Sequence, residues 1–378
     1  MRIAYVINSL EGGGAVAGLK PVASFLQACG HSVTVLALTP RDRQAESWLV
    51  STGFNVITRE GGEKDHLGAL RWLSHEVRKL APTHIWTSLT RSTLLGQLVG
   101  LQQSIPVVSW QHNAYLKREN LALLKLTRQL SCHWIADSAF VATLTRERLS
   151  LPDERVSCWP IFSVSSDALQ TRPWRRGEII RIGSLGRLHP AKGYDVLCEA
   201  LRLLPRDILP PFEITIGGQG KEKACLLETI RNAGLSCLRL DGFVTDTQDF
   251  LAHQHLYLQP SRREGFCIAA HEAMQAGLGV LASSVGELSH SVIDDVTGWK
   301  VPPEDPHALA EALIRILQQP ERLETVGATA RAHVLKEFSH ARFQEAGQRA
   351  LEHIPGGTNS GSVTQSGSNP ISVLSDAA

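Results

Sequence analysis

The chain lacks any CxxC pair. Its seven cysteines, at 29, 132, 158, 198, 225, 237 and 267, are odd in number and scattered. That excludes a disulfide framework and a zinc site built on paired thiols, and reduced thiols in a cytosol are expected. It lacks a charge excess as well: 38 Lys+Arg face 37 Asp+Glu, a net of +1. The basic footprint of a nucleic-acid binder is therefore missing. No apolar run reaches the roughly 20 residues that a membrane helix needs. The strand-like opening MRIAYVINSLEGGG is too short for a signal segment with a cleavage site. No ligand cluster argues for a metal.

What is present is ordinary globular composition, 43% hydrophobic and 20% charged. A length of 378 residues exceeds one ordinary core and predicts two domains. Residues 1–165 carry 17 Lys+Arg against 12 Asp+Glu, and the remainder 21 against 25. A mildly basic first half suits an anionic substrate or an anionic membrane surface, with a solvated imbalance as the alternative.

Short apolar runs alternate with helical spacing throughout. In the first half, strands are predicted over 2–8, 33–38, 84–88, 107–110 and 134–136, with helices over 16–29, 67–80, 93–101, 115–132 and 139–149. Gly12, Gly13 and Gly14 sit where the first strand turns into the first helix. Gly12, Gly14 and Gly18 form GxGxxxG, one residue longer than the dinucleotide fingerprint, and no acidic residue ends the second strand. The reading is a phosphate-approach loop, not an NAD site. Residues 151–178, punctuated by Pro152, Pro160, Pro173 and Gly177, read as a linker. A second series follows, with strands over 179–184, 212–216, 237–240, 256–258 and 279–283. Its helices are predicted over 194–204, 222–233, 246–253, from 268 onward, and 306–318. From 356 to 378 the composition collapses to Gly, Ser, Thr and Asn with few apolar residues, as in a disordered tail.

The densest chemistry lies in PSRREGFCIAAHEAMQA, residues 260–276. Glu264 falls on a loop at a strand end, and Glu272 about two turns into the next helix. The first N–H groups of that helix make a seat for phosphate. Two carboxylates flanking it accept hydrogen bonds from the hydroxyls of a sugar nucleotide; the plain alternative is one acid in a helix start and one on a solvated face. Open parallel sheets bind ligands outside the carboxyl ends of their strands. The glycine loop, His112, the loop from Arg187 to Lys192, Gly217–Gly220 and Glu264 all fall at such ends.

Taken together, SLGRLHPAKGYDVLCEAL, ITIGGQG, LDGFV, LQPSRREGFCIAAHEAMQAG and VIDDVTGWKVPPEDPHALAEAL, with the weaker EGGG and SWQHN, resemble the retaining family 4 glycosyltransferases of the GT-B fold. The resemblance runs to about residue 355. It implies an α/β protein of two Rossmann-like, doubly wound parallel-sheet domains facing a central cleft. An acceptor-side domain is expected over 1–165, a donor domain over 166–338, and a terminal helix over 339–355 that crosses back. It implies a nucleotide-diphosphate sugar as donor, a hydroxyl acceptor, no metal, and a front-face reaction in which the departing phosphate takes the acceptor proton. Arg187 and Lys192 would clamp the diphosphate, Glu264 the sugar hydroxyls, Glu272 the ribose, and His112 the donor sugar. Gly13 and Gly14 would approach the diphosphate or acceptor. Phe243 and Val244 would lie near the base, and Gly218, Gly265, Phe266, Cys267 and Ile268 would complete the donor site.

Cys267 stands where many relatives have glycine, and His271 where an apolar residue is common. Both are expected to bear on the identity of the sugar. Arg262 and Arg263 are read as solvated surface, with an anionic acceptor as the alternative. The leucine- and lysine-bearing stretch 115–130 suits either a sheet-packing helix or a contact with an anionic, lipid-linked acceptor surface. The product would be a bacterial surface polysaccharide or glycolipid, made in the cytoplasm or at the inner membrane face. The rival readings are a GT-B epimerase or phosphorylase, a dinucleotide oxidoreductase and a non-catalytic sugar-nucleotide binder.

Overall fold

The computed structural model describes residues 1–11, 16, 18–41, 43, 45–51, 53–112 and 115–357. Two parallel sheets organise them. The first holds β1 (Arg2–Ile7), β2 (Ser32–Ala37), β3 (Asn55–Thr58), β4 (His84–Ser88), β5 (Val107–Gln111), β6 (Ser131–Ala136) and β7 (Val156–Cys158). Its order is β3-β2-β1-β4-β5-β6-β7. The second holds β8 (Ile180–Leu185), β9 (Phe212–Gly217), β10 (Leu238–Gly242), β11 (Leu256–Gln259), β12 (Gly279–Ser283) and β13 (Gly298–Val301), in the order β10-β9-β8-β11-β12-β13. Helices cover both faces, so the central strands are apolar runs rather than alternating ones; β4, β5, β11 and β12 are buried at every position. Each order reverses beside its first strand, opening one crevice between β1 and β4 and another between β8 and β11. This is the two-sheet α/β architecture expected of the resemblance.

Three strands were not predicted: β3, β7 and β13 have four, three and four residues, too few for a period to show. β7 falls inside the stretch read as a linker. The helix predicted over 115–132 is shorter. It runs over Arg118–Thr127, is followed by a 3-10 turn at Arg128–Leu130, and leaves Cys132 on β6. Leucines at 121, 123, 124 and 126 keep a helical look, yet Leu124 alone is recorded as buried in that helix.

The connection after β7 is packed, not loose. Trp159 joins the first core and Phe162 the second. The helix His340–Glu352 returns to the first sheet and buries Phe343, Ala346, Gly347, Ala350 and Leu351. Phe343 meets the rings of Phe25 and Trp159 at 6.3 and 5.5 Å. The two crossings touch where the Val164 N–H donates to the Phe338 carbonyl at 3.0 Å. Gly357 still packs, its carbonyl 3.2 Å from His31 Nε2. The rest of the expected tail, 358–378, lies outside the described residues.

Candidate active site

The crevice between β8 and β11 gathers most of the expected residues. Lys192 closes the loop after β8, and Glu264 lies just beyond β11. Lys192 Nζ donates to Glu264 Oε1 at 2.7 Å. The same oxygen accepts from Ser261 Oγ at 2.6 Å and from Gln259 Nε2 at 3.3 Å. Burial disfavours the ammonium, but the Glu264 carboxylate outweighs it and holds the Lys192 pKa above its ordinary value. Gly193 permits the approach. Its φ is +68°, and a Cβ there would lie 1.9 Å from the Pro260 carbonyl oxygen. The loop also depends on Arg262, whose N–H donates to Ala191 O at 2.9 Å. The Arg262 guanidinium grips Asp195 at 2.6 Å and Glu304 at 2.8 Å. Arg262 is therefore a structural tie between the two loops rather than a solvated charge.

Arg187, on the loop between β8 and Lys192, is exposed, and no partner is recorded for it among the described residues. Gly218, φ +153°, lies so close to the preceding loop that a Cβ would meet Gly186 O at 1.9 Å. Phe243 is 47% exposed, and Val244 packs on the second core. On the far side of Glu264, the N–H groups of Gly265, Phe266 and Cys267 have no backbone acceptor among the described residues. They lead into the helix Ile268–Gln275, so donors and the positive helix end face the loop.

Cys267 caps that helix in the left-handed region, φ +67° and ψ +67°. This is a backbone position that glycine would occupy without strain. Burial, then the Glu264 charge, push its thiol pKa up. His271, the neighbour of Glu272 in sequence, lies in the core. It is fully buried, stacked on Phe266 at 4.1 Å, with its ring nitrogens 3.0 Å from Cys267 O and 2.8 Å from Ser291 Oγ. Burial lowers its pKa to about 4. It belongs to the aromatic core, with both ring nitrogens engaged within the protein. Glu272 and Ile268 line a cleft of about 210 Å³ with Phe162, Ser165, Gln248 and Gln275. Among the described residues no hydrogen bond is recorded for the Glu272 carboxyl, and burial raises its pKa.

His112 follows β5. Its Nδ1 lies 2.9 and 3.0 Å from the two Asp137 oxygens, and its Nε2 bonds Ser88 Oγ. The next described residue, Tyr115, lies under the Arg263 guanidinium at 3.9 Å, so the segment after β5 meets the loop that carries Glu264. Gly13 and Gly14 lie outside the described residues.

Sequence reasoning missed three partners here: Ser88, Asp137 and Glu287. Ser88 and Asp137 were legible only as polar residues at strand ends. Glu287 follows Gly286, and its N–H donates to Gly265 O at 2.9 Å. Its carboxyl, raised in pKa by burial, faces Ser138 and the Phe140 N–H of the first unit. Nothing in its local sequence announces that reach. Among the described residues, no group of three or more His, Cys, Asp or Glu side chains is placed to hold a metal ion, and no helix is long and apolar enough to cross a membrane.

Two families match in tandem: "Glycosyltransferase Family 4" over residues 12–162 and "Glycosyl transferases group 1" over 173–333. A D-inositol 3-phosphate glycosyltransferase of Frankia alni is 32% identical over 346 residues, covering 78% of this chain and 80% of the relative. The amylovoran biosynthesis glycosyltransferase AmsK of Erwinia amylovora is 34% identical over 176 residues, 44% of this chain and 43% of its own. A lipopolysaccharide 1,2-N-acetylglucosaminetransferase of Salmonella typhimurium is 30% identical over 180 residues, 45% and 46%. The chain thus spans under half of these last two relatives. Among solved structures, Anabaena HepE in complex with UDP-glucose superposes with a TM-score of 0.80 at 19% identity, covering 93% of this chain and 99% of that one. The lipopolysaccharide outer core galactosyltransferase WaaB gives 0.73 at 14% identity, covering 93% and 99%.

Proposed function

The chain belongs to the family 4, group 1 glycosyltransferases of the GT-B fold, and from that premise we propose that it moves a sugar from a nucleotide-diphosphate sugar to a hydroxyl acceptor with retention of configuration. The observation that carries the reading is the Lys192–Glu264 pair at the β8/β11 crevice, with exposed Arg187 on the same loop as Lys192 and N–H groups after Glu264 that find no backbone acceptor among the described residues. Phosphate suits the cations and amides. Sugar hydroxyls suit the second Glu264 oxygen, and ribose suits Glu272, a carboxylate with no hydrogen-bond partner among the described residues.

Charge builds on the diphosphate as the glycosidic bond breaks. Cations fixed before the reaction stabilise that charge most at the transition state. Glu264 is held in place by three hydrogen bonds on Oε1 and is assigned to binding rather than to covalent attack. The departing phosphate is then the base nearest the acceptor hydroxyl. HepE was solved with UDP-glucose, which makes a uridine diphosphate sugar the first donor to try. The Erwinia and Salmonella relatives support a role in a bacterial surface polysaccharide or lipopolysaccharide. A lipid-linked acceptor fits the basic, leucine-bearing surface of the helix Arg118–Thr127.

The test combines titration calorimetry with UDP and donor hydrolysis rates. Glu272→Ala should weaken UDP binding about tenfold or more, the order of one lost charged hydrogen bond. Lys192→Ala should instead lower turnover by about a hundredfold, as for loss of one transition-state electrostatic partner. Unchanged UDP affinity in the first variant together with unchanged rate in the second would sink the assignment. So would the absence of a thermal shift with every nucleotide sugar tried.

A further inference from the structure

His112 is the centre of a buried polar chain. Asp137 presents both oxygens to Nδ1, and its Oδ1 also accepts the Trp110 indole N–H at 2.6 Å. On the other side Nε2 meets Ser88 Oγ, which is also hydrogen-bonded to the Tyr5 hydroxyl. Asp137 is 3% exposed and Ser88 fully buried. The Trp110 ring lies parallel to His112, 8° off, with centroids 5.8 Å apart. The imidazole is held on one face and at both nitrogens.

An ionised carboxylate only accepts hydrogen bonds, so Nδ1 must carry the proton. In the neutral ring the lone pair is then on Nε2, facing Ser88 Oγ–H. We propose that Asp137 is a positioning residue that fixes His112 in the Nδ1–H tautomer, so that Nε2 offers an acceptor to a hydroxyl of the bound sugar. This rests on the reading of His112 as a donor-sugar contact. An arriving hydroxyl takes the place of Ser88 at the single Nε2 lone pair, and the Ser88 hydroxyl then donates to the Tyr5 oxygen. The Arg263–Tyr115 contact sets this end of β5 against the Glu264 loop, on the side of the Lys192–Glu264 pair.

Asparagine at 137 has the same shape and the opposite consequence. Trp110 N–H still needs an acceptor, so the amide oxygen turns to it and the NH2 faces His112. The NH2 takes the place of Oδ2, 3.0 Å from Nδ1, where a protonated Nδ1 would meet a donor, so the balance shifts toward a bare Nδ1 with the proton on Nε2. The site would present a donor where it had presented an acceptor.

The experiment is imidazole nitrogen NMR on the full chain labelled with ¹⁵N-histidine, with the His112 signals assigned by their loss in His112→Gln. The wild-type protein should show Nδ1 protonated and Nε2 bare. Asp137→Asn should show the reverse, and Ser88→Ala should keep the wild-type pattern. In parallel, kcat/KM for UDP-glucose hydrolysis should fall about tenfold or more in Asp137→Asn. The affinity for UDP, which has no sugar, should stay within about twofold. A wild-type proton on Nε2 overturns the proposal without need of any variant. So does an unchanged tautomer in Asp137→Asn, or an equal loss of UDP and UDP-glucose affinity. If no nucleotide sugar binds the wild-type protein, the glycosyltransferase reading fails by itself, and the tautomer still decides the role of Asp137.

Discussion

Cys267 shows how one residue can sit against its own backbone. Its left-handed φ of +67° costs a residue with a Cβ roughly 1–2 kcal/mol. Its thiol is 8% exposed and returns about the same amount by burial. Glycine would relieve the strain but lose the contact and gain unfolded-state freedom. Cys267→Gly should therefore leave the unfolding free energy within about 1 kcal/mol, by that balance. Cys267→Val keeps the strain and adds β-branching, so it should lose more than about 2 kcal/mol. Urea midpoints at constant m-value measure both. A large stabilisation by valine would show that the backbone at 267 is not left-handed. Glu272 makes the complementary case: a half-buried carboxylate with no recorded partner and a raised pKa, the kind of group left unsatisfied for a ligand rather than for the fold.

At the scale of elements, two helices differ in what their faces are for. His340–Glu352 turns a small-residue face to the first sheet. A Cβ on Gly347 would come 2.7 Å from both the Phe25 and Trp159 rings. Gly347→Ala should cost about 1–3 kcal/mol by overpacking, visible as a lower melting temperature with unchanged UDP affinity. Arg118–Thr127 is the opposite. Leu123 is 47% and Leu126 81% exposed, and Lys117, Arg118 and Lys125 are exposed with them. An apolar ridge edged with cations fits anionic lipid. The chain should co-sediment with vesicles containing phosphatidylglycerol, more weakly with neutral ones, and Leu126→Glu should reduce binding by about threefold or more, given the burial of one leucine. Equal binding to both vesicle types would remove the membrane from the account.

For the whole molecule, acid is the weak side. His133, His255 and His271 are each buried, and burial depresses each to about 4. Arg155 and His353 add to this at His133; Arg181 and Arg172 do so at His255, against Glu178. The unfolded chain takes up protons on these rings below about 6.5, where the folded one does not. Stability is thus fully present above about pH 6.5, and is lost as pH falls toward 4. Burial lowers His31, His84 and His333 as well, while Glu272 and Glu287, both raised by burial, pull the other way. Urea midpoints should fall steadily from pH 7 to 4.5, on the order of 2 kcal/mol per buried histidine at about pH 5. A flat profile over that range would show the histidines to be solvated.

Much of this was legible in the amino-acid order. Alternating apolar runs and helical spacing placed the strands of the two sheet centres, because buried parallel strands need continuous apolar runs. The frame around Glu264 and Glu272 marked the donor side, because turn, carboxylate and helix start are neighbours in sequence. The short edge strands β3, β7 and β13 escaped, having too few residues for a period. What only the tertiary structure decided is which distant groups meet. Lys192 and Glu264 are 72 residues apart and touch because β8 and β11 are neighbours in the sheet. His112 and Asp137, 25 apart, meet because β5 lies beside β6. His271, next to Glu272 in sequence, points into the aromatic core because adjacent positions on a helix face about 100° apart. Spacing along a chain fixes the local turn, whereas strand order fixes the partners across it.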